Sequence, residues 1–380
     1  MRGMWRYVRG KHFDAWLGGY ARHLGGRLQR RARERAVRPK HLLFALCDHF
    51  EPLWNEASTA QADARVAFWL EAYPKLAARF RDADGHHPRH SFFFPGEQYT
   101  PRWLDALGDL AKRGLGEVEV HLHHAGDTEA SLRASLEETT GALASHGHLS
   151  RDPATARPRY AFIHGNWCLA NARRDGSHCG VDAEIPLLFD TGCYADFTFP
   201  SAPDESQPAV VNQIYWPAGD AGDLAKRRAY ERGERARVGE VKRDRILMVE
   251  GPLSLSPRRA LLPVWIENAG LTAVAPGSAG RVRSWVRQAI HVEGRPEWLF
   301  AKAYTHGAPE LQAMSLLGDG GRSLHEGLAE VCAVEGLALH YVTAREMFNV
   351  AMAAMEGRDG DPAAYRDYVL GPPPVASLRL

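Results

Sequence analysis

The hydrophobic pattern of this chain alternates between short apolar runs and longer amphipathic segments. An almost unbroken apolar run covers residues 41–47, and shorter runs cover 90–94 and 160–163. Unbroken runs of this length are typical of strands that are buried on both faces, as in a parallel sheet. Residues 60–81 and 128–145 instead keep their apolar positions at helical spacing. This alternation predicts an α/β fold with a mainly parallel sheet, either open or closed into a barrel.

The second half of the chain continues the same pattern. Further strands are predicted at 194–198, 210–216, 246–249, 298–304 and 339–342, and further helices at 182–191, 280–291, 322–335 and 344–355. A charged run at 226–245 has residues of both signs, so a solvated insertion at about 218–245 is favoured over a nucleic-acid surface. We therefore expect one α/β domain at 41–355 and a loose C-terminal tail at 356–380.

The N-terminal segment, residues 1–40, is predicted to be a basic helical region. Its helix covers residues 4–36, with a break at Gly25-Gly26 and a cluster of arginines after the break. One interpretation is an amphipathic helix that lies on an anionic membrane. The other is a helix packed on the domain with its basic face in solvent. The apolar positions cover a wide arc of the helix, which favours packing on the domain.

Composition narrows the class of protein. The chain has 380 residues, of which 45% are hydrophobic and 24% charged, and a net charge of +1, so it is not tuned as a whole to bind polyanions. No apolar run approaches the roughly 20 residues of a membrane helix, and no signal sequence is evident. We expect a cytoplasmic protein, with peripheral membrane contact as an alternative. Its five cysteines form no C-x-x-C pair, so neither a disulfide framework nor the usual structural zinc site is expected.

Three histidines lie within four positions at the end of the alternating run 117–121. Successive side chains of a strand point to opposite faces, so His121 and His123 should share a face and converge, as metal ligation requires. His124 lies beside them. Asp127-Thr128 should cap a helix that begins near Glu129, which places the histidines at the carboxyl end of a strand.

Polar residues that apolar packing would not select also follow other predicted strands. They are Asp48, His49, His164, Asn166, Trp167 and His306. Parallel strands place their carboxyl ends along one edge, so these groups can meet in space. Imidazole and carboxylate groups are ligands for zinc or a similar divalent ion, and a bound ion lowers the pKa of its water. A further carboxylate could serve as a base, a further histidine as an acid, and Trp167 as a pocket wall.

In these segments the chain resembles the polysaccharide deacetylase family, carbohydrate esterase family 4. Phe44-Ala45-Leu46-Cys47-Asp48-His49 stands where the family has a strand that ends in two aspartates, a general base and then a metal ligand. The resemblance implies that Asp48 is the base and that His49 takes the ligand position. Glu119-Val120-His121-Leu122-His123 looks like a variant of the two-histidine motif, and the choice among His121, His123 and His124 stays open.

Later segments carry the resemblance further. Residues 163–167 lack the usual arginine and proline of the family, but 191–198 resembles its glycine-aromatic-aspartate strand, which contains Asp196 here. Residues 299–306 resemble the final strand that presents a histidine acid, here His306. Residues 261–268 look typical of a divergent branch that accompanies exopolysaccharide synthesis. The resemblance implies a distorted parallel (β/α) barrel of about seven strands.

The function implied by the resemblance is metal-dependent removal of acetyl groups from a polysaccharide or an N-acetylated sugar. Its catalytic residues would be Asp48 and His306, its metal ligands would come from Asp48, His49, His121, His123 and His124, and its substrate contacts would be His164, Asn166, Trp167 and Asp196. Zinc is the first choice of ion, carbohydrate is the expected partner, and no nucleic acid is expected. Three alternatives remain. The first is a different enzyme on the same scaffold, either a metal-dependent amidohydrolase or a glycan-cleaving hydrolase that uses Glu51, Glu267 or Asp196. The second is an inactive glycan-binding relative, and the third is a protein-interaction scaffold within a polysaccharide assembly.

Overall fold

A computed structural model of the protein describes residues 10–33, 37–257 and 264–378. In these ranges the chain forms a mixed α/β fold with a mostly parallel central sheet. The strands are β1 (His41–His49), β2 (His90–Pro95), β3 (Gly116–Leu122), β4 (Ser150–Arg151), β5 (Pro158–His164), β6 (Cys193–Asp196), β7 (Ile214–Pro217), β8 (Gly233–Arg235), β9 (Leu247–Val249), β10 (Ser254–Pro257), β11 (Val264–Glu267), β12 (Gly270–Leu271), β13 (Trp298–Thr305) and β14 (Ala338–Tyr341). The α-helices are α1 (Phe13–Arg33), α2 (Thr59–Ala77), α3 (Pro101–Lys112), α4 (Glu129–Ser145), α5 (Glu184–Thr191), α6 (Ala221–Leu224), α7 (Ala279–Gln288), α8 (Glu310–Leu317), α9 (Asp319–Glu335), α10 (Ala344–Met355) and α11 (Pro374–Ser377).

The central sheet follows the order β12-β13-β1-β2-β3-β5-β6-β9-β7-β8. Strand β1 lies between β13 and β2, parallel to both, and β14 also pairs with its first residues. Strand β7 runs antiparallel to β8 and β9. The predicted α/β fold with a mainly parallel sheet is confirmed. Across the described ranges no strand pairing joins the two ends of this path, so the sheet is open and the predicted barrel is not confirmed.

Alternation along β1 divides its side chains between two hydrophobic cores. Even-numbered residues from Leu42 to Leu46 pack in a core with the apolar faces of α2 and α3. Odd-numbered residues from Leu43 to Cys47 pack in a second core with α10. Every residue of this helix is buried. We call the side of the sheet that faces α10 the inner face. The strand period of two thus sets which residues at the carboxyl end of β1 can meet residues from other strands.

The N-terminal helix packs on the domain through its apolar residues. Trp16 is fully buried, in a small core that includes Val211 and Leu253. A Cβ atom on Gly19 would lie 1.7 Å from the carbonyl oxygen of Ala209, so only glycine allows this close approach. The helix α1 continues through the Gly25-Gly26 pair, so the predicted break there is wrong. Of the predicted helix, residues 4–9 and 34–36 lie outside the described residues.

The C-terminal segment is not the loose tail that the sequence predicts. The side chain of Arg345 donates to the carbonyl oxygen of Leu370 at 2.7 Å, and Asn349 contacts the same oxygen at 2.8 Å. Further along, the amide of Val375 donates to the carbonyl of Gly147, and the Val375 side chain is buried. Buried side chains of α10 therefore satisfy the backbone of this segment, an interaction that composition does not reveal.

The charged segment at 218–245 is more than a solvated insertion. Strand β8 pairs with β7, and Tyr230 is fully buried and donates a hydrogen bond to the carbonyl of Ser206. The segment therefore extends the far edge of the sheet. Among the helices of the described residues, none has both the length and the apolar character needed to cross a membrane.

Candidate metal centre

The carboxyl ends of β1, β3 and β13 bring three predicted site residues together on the inner face. The ring centroid of His49 lies 4.8 Å from that of His121 and 4.6 Å from that of His306. His49 lies two positions after Cys47 and therefore on the same, inner face of β1. His121 likewise lies two positions after Glu119, whose carboxylate contacts Tyr194 of the inner core. The predicted convergence of distant strand ends is thus present.

Glu51 lies at the centre of this histidine group. Its Oε1 atom lies 3.3 Å from Nε2 of His121 and 2.8 Å from Nε2 of His123. Its Oε2 atom lies 2.9 Å from Nδ1 of His306. Burial alone would raise the pKa of Glu51, but the hydrogen bonds with the three histidines outweigh it and hold that pKa well below its usual range. The carboxylate is therefore charged.

His121 and His123 each present one ring nitrogen to Glu51 while the other nitrogen is held. Nδ1 of His121 lies 2.9 Å from the carbonyl oxygen of Ile163, to which it must donate, so Nε2 is the nitrogen left to face Glu51 or an ion. Nδ1 of His123 lies 2.6 Å from Oε1 of Glu97. Metal-ligating histidines are oriented by such contacts to carbonyl and carboxylate oxygens.

The donor set fits a divalent cation such as zinc. Potential ligand atoms of Glu51, His121 and His123 all lie within 4.8 Å of one another. Without an ion, only a protonated imidazole can balance the buried negative charge of Glu51. Burial lowers the pKa of His123, but its hydrogen bonds to Glu51 and Glu97 outweigh burial and raise that pKa to about 9. A bound cation would replace that proton as the compensating charge.

One side of the group is open. The side chain of His123 is 29% exposed and that of His306 is 23% exposed, whereas Glu51 is 1% exposed. Catalytic zinc sites keep one coordination position for water or substrate, in contrast to closed structural sites. The indole ring of Trp54, itself 36% exposed, lies 4.8 Å from the ring of His306 and forms part of this open side.

His49 adjoins the group without belonging to its closest three members. Burial and the neighbouring His306 and His121 lower the pKa of His49 well below the usual value, so it is neutral. Its Nδ1 atom is buried and has no hydrogen-bond partner within the part of the chain that the structure describes. The ring can therefore offer a lone pair to an additional ligand or water.

Asp48 does not face this group, which corrects its predicted roles as metal ligand and base. Its Oδ2 atom lies 2.8 Å from Nε2 of His90, and its Oδ1 atom accepts a hydrogen bond from the amide of Gly307 at 2.5 Å. The carboxylate is fully buried beside Trp69, on the side of β1 that faces α2 and α3. Strand alternation is the physical reason: Asp48 has the parity of Leu46, and His49 that of Cys47.

We expect Asp48→Asn to destabilise the fold without removing metal affinity from the Glu51 group. The amide would leave one of two buried contacts poorly satisfied, at a cost of about 1–3 kcal/mol. Chemical denaturation and zinc titration of the same preparation would measure both quantities. A large loss of zinc affinity with unchanged stability would restore Asp48 as a ligand.

The remaining predicted site residues lie elsewhere. His124 and His164 belong to a separate cluster with Cys179 and Glu184. The amide of Asn166 lies 3.2 Å from Nδ1 of His164, and the neighbouring Trp167 is half-buried.

Asp196 is fixed within its own turn. It is buried and accepts hydrogen bonds from the amide and hydroxyl of Thr198, at 3.0 and 2.8 Å. Burial raises its pKa to about 7. These contacts hold its carboxylate in place, and it makes no hydrogen bond to the Glu51 group among the described residues.

The central position of Glu51 was not predicted from the sequence, where this residue served only the glycan-cleaving alternative, and neither Glu97 nor Trp54 was predicted. The sequence did contain an indication for Glu51. Cys47, His49 and Glu51 are spaced by two, so the alternation of β1, if continued past its end, places Glu51 on the same face as His49. Comparison with protein-family models and with curated proteins finds no match for this chain, so those comparisons assign it no family.

Proposed function

We propose that the protein is a metal-dependent hydrolase that removes acetyl groups from a polysaccharide or an N-acetylated sugar. The observation that carries the proposal is the convergence of two imidazole nitrogens on Oε1 of Glu51, while their second nitrogens are held by other oxygens. Two imidazoles and a carboxylate held in this way would suit a metal ion, and one side of the group is open to solvent.

In this proposal Glu51, His121 and His123 hold a divalent ion, with zinc as the first choice. A bound ion of this kind polarises a carbonyl group and lowers the pKa of water toward about 7. Glu97 fixes the ring of His123, and the carbonyl of Ile163 fixes the ring of His121. These contacts keep the ligand nitrogens directed at one point before any ion arrives.

His306 is the residue that moves protons in this proposal. Its Nδ1 atom is engaged by Oε2 of Glu51, so Nε2 is the nitrogen available for proton transfer. His306 would take a proton from the attacking water and pass it to the leaving amine or alcohol as the bond to the acetyl carbon breaks. Asp48 positions His306 indirectly, because it anchors the amide of Gly307, the next residue.

Trp54 and the sequence resemblance both support a carbohydrate as the substrate. An exposed indole beside the proton-transfer histidine offers a flat apolar surface, which suits the apolar face of a sugar ring. The chain would then be a divergent member of the polysaccharide deacetylase family. A barrel is part of this proposal, with residues 290–293 bridging the two edges of the open sheet: the carbonyl of Ile290 accepts a hydrogen bond from the amide of Phe300 on β13, and the amide of Glu293 donates to the carbonyl of Ala236 beyond β8.

The variant His306→Gln tests the proton-transfer role. We expect it to retain its zinc content and to lose about 100- to 10,000-fold in kcat for acetate release. Acetate would be measured on a panel of N- and O-acetylated oligosaccharides, with and without chelator. His146→Gln is a matched control, because His146 also pairs with a carboxylate, Asp105 at 2.7 Å, away from the group.

Three outcomes would count against the proposal. Unchanged acetate release in His306→Gln would remove the proton-transfer assignment. Formation of new reducing ends without acetate would replace acetyl hydrolysis by glycan cleavage, while saccharide binding without any turnover would favour the inactive relative.

A further inference from the structure

A second group of potential ligands is formed by His124, His164, Cys179 and Glu184, which we call the buried quartet. One ligand atom from each lies within 4.8 Å of those of the other three. The His124 side chain is 7% exposed and those of His164 and Glu184 are inaccessible. We propose that the buried quartet binds a structural zinc ion, and this inference does not depend on the proposed hydrolase function.

Glu184 is the common neighbour of the other three side chains. Its Oε1 atom lies 3.2 Å from Nε2 of His124 and 3.9 Å from Nε2 of His164. Its Oε2 atom lies 3.4 Å from Sγ of Cys179. Two imidazoles, a thiol and a carboxylate are all established zinc ligands, and four of them complete a tetrahedral site without an open position.

Two members of the quartet carry the supporting contacts that zinc ligands usually have. Nδ1 of His124 lies 3.1 Å from Oδ2 of Asp127, which leaves Nε2 directed at Glu184. Sγ of Cys179 accepts a hydrogen bond from the amide of Val181 at 3.5 Å, a contact that would stabilise a metal-bound thiolate.

His164 supplies an independent indication of a missing ligand. It is fully buried, and its Nε2 atom has no hydrogen-bond partner among the residues that the structure describes. A buried polar atom in this state costs free energy, which coordination would recover. Ligation through Nε2 places the ring proton on Nδ1, so the 3.2 Å contact from the amide of Asn166 must open when the ion binds.

The quartet also accounts for the order of a long loop. Residues 165–183, between β5 and α5, contain no helix or strand. Cys179 lies in this loop, and Glu184 accepts a hydrogen bond from its Ala170 amide at 2.6 Å. An ion held by His124, His164, Cys179 and Glu184 would fix the loop to the ends of β3 and β5. Tetrahedral zinc needs ligand atoms about 3.3–3.8 Å apart, so the quartet would contract slightly on binding.

Cobalt substitution distinguishes the buried quartet from the Glu51 group, because only the quartet contains a thiol. We expect the full-length protein, loaded with cobalt in place of zinc, to show a thiolate-to-cobalt charge-transfer band in the near ultraviolet. Cys179→Ser should lose the band and about one equivalent of zinc per chain, as measured by elemental analysis. Cys332→Ser is the matched control, since Cys332 is also a buried free cysteine, and it should keep both.

His123→Ala separates this inference from the proposed function. It should lose ion binding at the Glu51 group and keep the cobalt–thiolate band. Absence of the band in the unmodified protein, or its persistence in Cys179→Ser, would overturn the structural zinc site. Because the unmodified protein alone can give the first of these results, the test stands even if Cys179→Ser does not fold.

Discussion

Replacing Glu51 by glutamine is expected to abolish zinc binding at the group that it forms with His121 and His123. The neutral amide of glutamine is a poor zinc ligand. The substitution also removes the negative charge of the carboxylate that His121 and His123 both contact. Loss of an outer contact already weakens metal affinity 10- to 100-fold, so we expect a loss of at least about 100-fold here. Acetyl hydrolysis should fall by about 1,000-fold or more, which corresponds to about 4 kcal/mol of transition-state stabilisation. Zinc titration and acetate release would measure the two effects.

Glu56→Gln provides the matched control for this experiment. Glu56 follows the same strand, but it is exposed and lies outside the ligand group. We expect its zinc affinity and its turnover to match those of the unmodified protein. If Glu51→Gln behaves like Glu56→Gln in both assays, the Glu51 group is not a metal centre.

Replacing Arg345 by methionine is expected to destabilise the protein by about 3–5 kcal/mol, because it leaves the buried carboxylate of Glu117 without its charged partner. The guanidinium of Arg345 makes two hydrogen bonds to Glu117, at 3.0 and 2.7 Å, and its side chain is 2% exposed. The same group donates to the carbonyl of Leu370, so the C-terminal segment should loosen as well. Denaturant unfolding would give the free energy, and proteolysis would report release of the segment.

Arg102→Met is the control for the loss of an arginine–carboxylate pair in solvent. Arg102 contacts Asp63 at 2.8 Å, but its side chain is 56% exposed. Exposed pairs contribute at most about 1 kcal/mol, so unfolding should change little. Equal effects of the two substitutions would mean that Arg345 does not have the structural importance assigned to it.

Elements with strong local signals could be predicted from the sequence. The helix predicted at 344–355 has those bounds in α10, and of the predicted Asp127-Thr128 cap it is Thr128 that forms the N-cap of α4, together with Ser131. Strand β1 extends only slightly beyond its apolar run. The C-terminal segment could not be predicted in the same way, because its order depends on hydrogen bonds from Arg345 and Asn349 to residues more than 15 positions away.

Part of the candidate site could be predicted from strand alternation and from the shared edge of parallel strands. Strand alternation correctly brought His121 and His123 to one point, and parallel strand ends brought His306 to the same group. The same alternation places Asp48 on the opposite face, which contradicts the role that the resemblance to a paired-aspartate motif implies for it. Glu51 lies beyond the regular strand, where the period of two no longer predicts the direction of a side chain with certainty.

The buried quartet shows what sequence spacing does not reveal. Zinc motifs are recognised by closely spaced pairs of cysteines or histidines, and Cys179 has no such partner nearby in the chain. Its neighbours His124, His164 and Glu184 come from three other segments. Only the fold brings them within ligand distance, so no local pattern could have indicated them together.

The most direct test of the proposed metal centre is a crystal structure of the zinc-soaked protein, with anomalous diffraction recorded at the zinc edge. We predict an anomalous peak at about 2.0–2.2 Å from Nε2 of His121, Nε2 of His123 and a carboxylate oxygen of Glu51. The contrary result is no peak at this position under saturating zinc, with Glu51 still hydrogen bonded directly to the histidines. That result would mean that the group is a charge-paired structural cluster, and the hydrolase proposal would lose its basis.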